Sequence, residues 1–308
     1  MPLSVFLLAL IPPLLYATTN FIDKILLEKY FKDGGVGTLI LFSSLLSVIA
    51  LPFIVYFDPT VLDVKPSNAL LLAGIAVLDL AILWFYLLAL QNDETSVVIL
   101  FYQLVPVFAL VLGYFILNEL PTQAQLMAMF VILIGTSIVS FEFDSDNKLK
   151  FRKKTVIYMS LACFFWALES VLFKSVALEE NVLRSLFWEH LVLVIIGLLM
   201  FTFIHKYRKS FIAVFRMNSW KILSANVANE SLYMLGNITV AFVVMLAPVS
   251  LVLLNVPIQS VFVFIIAAIF TLFFPHILSE KIEKRYLIQK IFAIILTGFG
   301  SYLLVVGS

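Results

Sequence analysis

Apolar residues run in long unbroken stretches along this chain, at 3–24, 36–57, 67–90, 95–117, 122–141, 155–178, 183–204, 219–244, 246–273 and 286–306, with short polar connectors between them. Each stretch approaches the roughly 20 residues that carry a helix across a bilayer. The strands of a transmembrane barrel would instead alternate apolar and polar residues over about ten positions, and a bilayer core admits little besides helices and closed barrels. The pattern predicts an all-α polytopic membrane protein with ten transmembrane helices, whose first partner is the lipid bilayer.

Composition sharpens this. Of 308 residues, 63% are hydrophobic and 13% charged, with a mean hydropathy of +1.09, against roughly half apolar and a quarter charged in soluble domains. A net charge of +1, with Lys and Arg scattered through short loops, leaves no basic domain for a nucleic-acid partner. The single cysteine, Cys163, excludes an internal disulfide and lies in an apolar run, so a packing role is expected. The opening 24 residues lack the basic start of a signal peptide and are read as the first helix.

One connector, EFDSDNKLKFRKK at 142–154, is strongly hydrophilic and falls after five predicted helices. It divides the chain into a first five-helix repeat (1–141), a polar linker (142–154) and a second five-helix repeat (155–308). An odd number of helices per half predicts that the halves enter the membrane in opposite orientations, as inverted repeats. Residues 16–24, YATTNFIDK, align with 166–174, WALESVLFK, at an offset of 150: Tyr16 with Trp166, Ala17 with Ala167, Asn20 with Ser170, Lys24 with Lys174. The same offset sets Asp79 on Asn229, beside Glu230. Farther on, Val105-Pro106, Glu119 and Gly135 recur more loosely as Val256-Pro257, Glu280 and Gly298. Fifteen Lys and Arg lie in connections after odd-numbered helices and two, Lys65 and Arg184, on the opposite side. The positive-inside rule then places the linker and a loop at 205–218 in the cytoplasm and both termini outside.

Catalytic signatures are missing. DGGVGT at 33–38 lacks the spacing and lysine of a phosphate-binding loop, and His190, His205 and His276 have no metal-ligand spacing, so no enzyme activity, metal or cofactor is expected. Charges inside the apolar runs carry more information, since an Asp, Lys or Arg at the centre of a spanning helix costs roughly 2.5–3.5 kcal/mol on insertion scales. Asp79 and Glu230 lie nearest the middle of their runs. Asp23 is read either as a solvated helix end or as part of a path, and Lys24 and Lys174 as side chains snorkelling to the headgroups. On the eighth run Asn226, Asn229, Glu230, Tyr233 and Asn237 are spaced as one polar stripe, which must face protein or water. Interhelical hydrogen bonding is the plainer use of such a stripe. Tyr102, Gln103, Asn255 and Gln259 are candidates for further lining. Glu169, about 140° around its helix from Lys174, needs another partner, and Glu189 with His190 is read as an interfacial pair or a proton relay. Trp84, Tyr102, Trp166 and Tyr233 are candidates for a cation-binding cage.

Ten helices in two fives, an aromatic-Ala step in the first helix of each half and a Pro-to-Glu-to-Gly progression over the last two together resemble the EamA-like transporters of the drug/metabolite transporter superfamily. The chain has Tyr16-Ala17 where that family usually has Trp-Gly, and a longer stretch from Pro257 to Glu280 in its second half. The resemblance implies a secondary transporter of a small polar or amphipathic metabolite, exporter or importer, working by alternating access in the inner membrane of a prokaryote as a monomer or weak homodimer. Five interior acids (Asp23, Asp79, Glu169, Glu189 and Glu230) against two lysines favour an amine, an amino acid or a proton as cargo, with Asn20 and Ser170 lining symmetric parts of one path. The alternatives are a flippase for a lipid headgroup, which predicts a lateral opening lined by Lys24 and Lys174, and a scaffold, which predicts no cavity.

Overall fold

The computed structural model describes residues 8, 11–30, 35–143, 149–246, 252, 256–277, 280 and 283–306. Its helices are α1 (Ile11–Ile25, continued as a π-helical turn Leu26–Tyr30), α2 (Gly35–Phe57), α3 (Pro66–Asn92), α4 (Thr95–Leu117), α5 (Gln123–Val139), α6 (Lys153–Glu180), α7 (Val182–Phe203), α8 (His205–Val243), α9 (Val256–Phe273) and α10 (Lys284–Val306). Six of them, α2, α3, α4, α6, α7 and α10 over Lys284–Leu303, are long and apolar enough to cross a bilayer, and α5 and Ile258–Phe273 are shorter apolar helices. Between α5 and α6 the polar linker closes into a two-stranded hairpin, β1 (Phe141–Phe143) against β2 (Leu149–Phe151).

Local chemistry sets the breaks. Pro66, whose fixed φ and missing N–H suit a first turn, opens α3. Asn118 in the left-handed region stops α4, and Thr122 and Gln125 form a capping box that starts α5. Asn181 separates α6 from α7 and caps the latter by accepting from the Arg184 amide at 2.9 Å.

Polar contacts between helix ends fix their directions. At the hairpin end, Arg152 pairs with Asp93, and Lys24 donates to the carbonyls of Leu90 (2.6 Å) and Asp93 (2.8 Å). Lys290 reaches Glu94 (2.6 Å) and Glu280 (3.1 Å), while Gln289 donates to the Ile138 and Phe141 carbonyls. At the opposite end Asn68 binds Glu180 (2.7 Å), Trp188 donates to the Val61 carbonyl (2.9 Å) and Lys174 pairs with Glu119 (3.3 Å). The chain therefore crosses the bundle back and forth, and α1, α3 and α5 all end at the hairpin end. In packing, α3 and α4 lie on α6, α1 on α8 and α9, α3 on α7, α2 on α7 and α8, α4 on α9, and α5 on α10. The α5–α10 crossing is close: a Cβ on Gly135 would meet the Thr297 side chain at 2.6 Å, and one on Gly300 the Ile132 side chain at 2.7 Å. Small residues let apolar helices approach in this way. Gly298 has open space around it.

Three expectations change. Residues 205–218 are not a loop: they are the first turns of the 39-residue α8. Their Lys and Arg lower the hydropathy, yet Tyr207 and Phe211, one turn apart, pack toward α2 against Gly37 and Phe42, so the segment is an amphipathic extension. Lys24 does not snorkel. It is buried, because the carbonyls ending α3 and the Glu28 carboxylate (3.0 Å) pair with its ammonium. Asp23 is likewise no solvated helix end, being 7% exposed. Asn255, together with Ser145 of the linker, lies outside the described residues.

Candidate functional site

The polar positions converge on a space of about 1020 Å³ within the bundle, part of it open to the surroundings, between α1, α2, α3, α4, α6, α7, α8 and α9. Of the candidates named from the sequence, Asn20, Asp23, Asp79, Tyr102, Trp166, Glu169, Asn229, Glu230, Tyr233, Asn237 and Gln259 line it. Three do not. Trp84 packs on the apolar core, Gln103 donates to Ser260 (3.0 Å), and Asn226, one turn too early on α8, donates to its own helix at the Ile222 carbonyl (2.8 Å).

Inside the cavity the donors and acceptors form a directed chain. Gln259 Nε2 donates to Asn20 Oδ1 (2.7 Å), Asn20 Nδ2 to the Tyr86 hydroxyl (2.9 Å), and that hydroxyl to Asp23 Oδ2 (3.2 Å). Asn229 Nδ2 supplies the other oxygen of Asp23 at 2.7 Å. Asp23 thus holds α1, α3 and α8 together. Asp79 accepts from the Tyr233 hydroxyl at 3.0 Å, and Glu230 accepts from Ser43 on α2. Among the described residues Glu169 receives only the neighbouring Ser170 hydroxyl, at 3.3 Å.

What stays unsatisfied is informative, because buried polar groups in folded proteins are nearly always paired. The side-chain oxygens of Asn229 and Gln259 are buried and accept nothing from the described residues. Two free acceptors and four carboxylates therefore face one cavity whose lining includes His190 but no Lys or Arg. Aromatic rings wall it continuously: Tyr86 on Tyr102 (5.9 Å), Tyr102 on Trp166 (5.1 Å), Trp166 on Tyr16 (6.2 Å) and Tyr16 on Tyr233 (5.6 Å). Such a site accepts hydrogen bonds and attracts positive charge; it offers little to an anion. Gly236 allows Tyr16 to sit there, since a Cβ would meet the ring at 2.6 Å.

Sequence reading missed Tyr86, Ser43 and Ser47. A tyrosine or serine within an apolar run has no signature separating a cavity wall from ordinary packing. Tyr86 does lie seven residues beyond Asp79, two turns along the same face, and that spacing was the available signal.

Residues 3–141 match the model of the EamA-like transporter family. Over 152 residues the chain is 26% identical to the S-adenosylmethionine uptake transporter of Rickettsia prowazekii, covering 49% of each chain. It is equally similar, 26% over 152 residues, to the transporter of that name from Rickettsia conorii. The chain thus spans about half the length of the curated relatives it matches. A solved crystal structure superposes with a TM-score of 0.58 over 96% of both chains at 14% identity, a likeness of fold alone. Over residues 3–141, somewhat under half of its length, the chain is thus similar to the EamA-like transporter family, the family that its first-helix and Pro-Glu-Gly motifs resemble.

Proposed function

We propose that this chain is a secondary active transporter for a small cationic or zwitterionic metabolite, an amine or amino acid, which binds in this cavity. One observation carries the reading: four carboxylates and two unpaired amide oxygens line an aromatic-walled cavity free of Lys and Arg. A buried ammonium or sulfonium would receive there the counter-charge and acceptors that its desolvation requires. S-adenosylmethionine, named for the relatives, is an amino acid with a sulfonium centre and a purine that could stack on the rings, and it belongs to the proposed class. Asp79 and Glu230 serve as counter-ions or proton carriers.

Alternating access between two inverted five-helix repeats, 1–141 and 155–308, is the mechanism we favour. Exchanging the halves turns the α3–α6 packing into α8–α1, α4–α6 into α9–α1 and α3–α7 into α8–α2, while α5–α10, α2–α7 and α4–α9 map onto themselves. Lys24 and Lys174 lie at opposite ends of the bundle, as an inversion requires. Each is engaged there, which argues against a lateral headgroup entrance lined by both. The basic bias favours the hairpin end as cytoplasmic, in a prokaryotic inner membrane.

The test is a thermal-shift screen of the purified protein against amines, amino acids, S-adenosylmethionine and nucleotide sugars. A ligand at 100 times its Kd stabilises the folded state by about 2.7 kcal/mol. A rise with amines, amino acids or S-adenosylmethionine supports the reading; a rise with nucleotide sugars alone overturns it.

A further inference from the structure

Beside the main cavity lies a second chamber of about 290 Å³ between α6, α7 and α8, which shares Trp166, Glu169 and Asn237 with it and extends toward the end of the bundle opposite the hairpin. It is too small for the metabolite. Its polar lining consists of Glu169, Ser170, Glu189 and Asn237, and its far wall is apolar, with Val240, Ala241 and Val244. Glu189 is 1% exposed, and its Oε1 is buried with no hydrogen-bond partner among the described residues. Among the described residues Glu169 has only the 3.3 Å contact from Ser170. His190, next in sequence, does not turn to Glu189: its Nδ1 lies 2.9 Å from the Leu186 carbonyl. Lys174 pairs with Glu119. The other titratable groups whose field reaches the pair are Asp79 on α3, Tyr16 on α1 and Tyr233 on α8, none of them a cation.

Two carboxylates in an apolar setting, one without a donor, cost several kcal/mol unless a positive charge joins them. Packing does not explain their presence. At the offset of 150 the positions matching Glu189, Asn237 and Val240 are Leu39, Leu87 and Leu90, all fully buried in the core. At those three positions the first half is filled with leucine, whereas Glu169, Ser170 and Phe173 correspond to the polar Thr19, Asn20 and Asp23. A site for the organic cargo would serve both access states, whereas a side chamber that leaves the main cavity toward one end and holds an unpartnered carboxyl oxygen suits an ion that enters from that side.

We propose that this chamber binds a small monovalent cation, a proton or Na⁺, between Glu169 and Glu189, as the coupling ion of the transporter proposed above. The inference rests on that reading, but its test uses no organic substrate, so the two fail separately. Dicyclohexylcarbodiimide modifies buried carboxyl groups that carry a proton, and bound Na⁺ excludes it. The purified wild-type protein is treated with the reagent across pH 5.5–8.5, with NaCl or choline chloride, and the modified residues are mapped by mass spectrometry. The expected result is modification at Glu189 or Glu169. For a proton site, labelling falls as pH rises and ignores Na⁺. For a Na⁺ site, it falls roughly tenfold once Na⁺ exceeds its Kd about tenfold, at constant pH, as occupancy dictates. A Na⁺-dependent rise in thermal midpoint, present in a control variant of the exposed Glu179 (Glu179→Gln) and absent in Glu189→Gln, would corroborate the second case. Lack of modification at both residues, or modification indifferent to both pH and Na⁺, overturns the proposal whether or not the variants fold.

Discussion

Replacing Tyr86 with phenylalanine removes one oxygen from the centre of the polar chain while keeping the ring on Tyr102. The hydroxyl accepts from Asn20 at 2.9 Å and donates to Asp23 at 3.2 Å. Hydrogen bonds between membrane helices average about 0.6 kcal/mol and reach about 1.7. One of these two bonds is made to a carboxylate, where bonds are stronger. The loss should therefore total about 1–3 kcal/mol. At 1.4 kcal/mol per decade, this lowers the folding equilibrium constant by between about fivefold and about a hundredfold. Tyr102→Phe is the control, because the Tyr102 hydroxyl lines the cavity and makes no hydrogen bond to a described residue; its cost should stay below about 0.5 kcal/mol. Reversible unfolding in mixed detergent micelles, titrated with a denaturing detergent, measures both. Equal stabilities for the two variants would mean that Asp23 is not anchored through Tyr86, and the directed chain would lose its structural role.

Gly236→Ala should displace the Tyr16 ring, which lies 2.6 Å from the added carbon, and weaken ligand-induced stabilisation; a second change, Tyr16→Ala, should relieve the strain measured by thermal midpoint. Hydrogen bonds from Thr60, with Asn181 and the Arg184 charge adding to them, hold Asp58 below the usual carboxylate range. Its contribution is therefore complete above the unfolded value near about 3.9 and disappears as pH falls through the folded one. Hydrogen exchange at 58–63, corrected for intrinsic rates, should accelerate in acid in the wild type and lose that step in Asp58→Asn. In a Cys163→Ala background, Ser145→Cys should resist a membrane-impermeant thiol reagent in intact cells; ready labelling would reverse the orientation.

The helices were legible because the bilayer enforces a strong rule: unbroken apolar length. The boundaries of α2, α3, α4 and α6 fall within a few residues of the apolar runs for that reason. The rule failed at α8, where helix formation continues through a basic, amphipathic segment governed by contacts with α2 rather than by hydropathy. Among site residues the polar stripe of α8 was readable from its spacing, since Asn229, Glu230, Tyr233 and Asn237 share a face. Its first member, Asn226, bonds its own backbone instead, which periodicity does not distinguish. The burial of Lys24 depended on two carbonyls 66 and 69 residues away, and the isolation of Glu189 on a chamber wall supplied by α8. Such pairings arise from tertiary contact and leave no local pattern.

Uptake of labelled S-adenosylmethionine and of cationic amino acids into reconstituted vesicles, under imposed proton and Na⁺ gradients, tests the central claim most directly. The wild type should accumulate at least one of these compounds saturably. Asp79→Asn and Glu230→Gln keep the shape of each side chain and most of its hydrogen bonding while removing charge and titration, so both should fold, with unchanged thermal midpoints, and lose coupled accumulation. Wild-type rates with unchanged gradient dependence in both variants would contradict a carboxylate-lined transport site, as would a wild type that accumulates no cationic or zwitterionic compound.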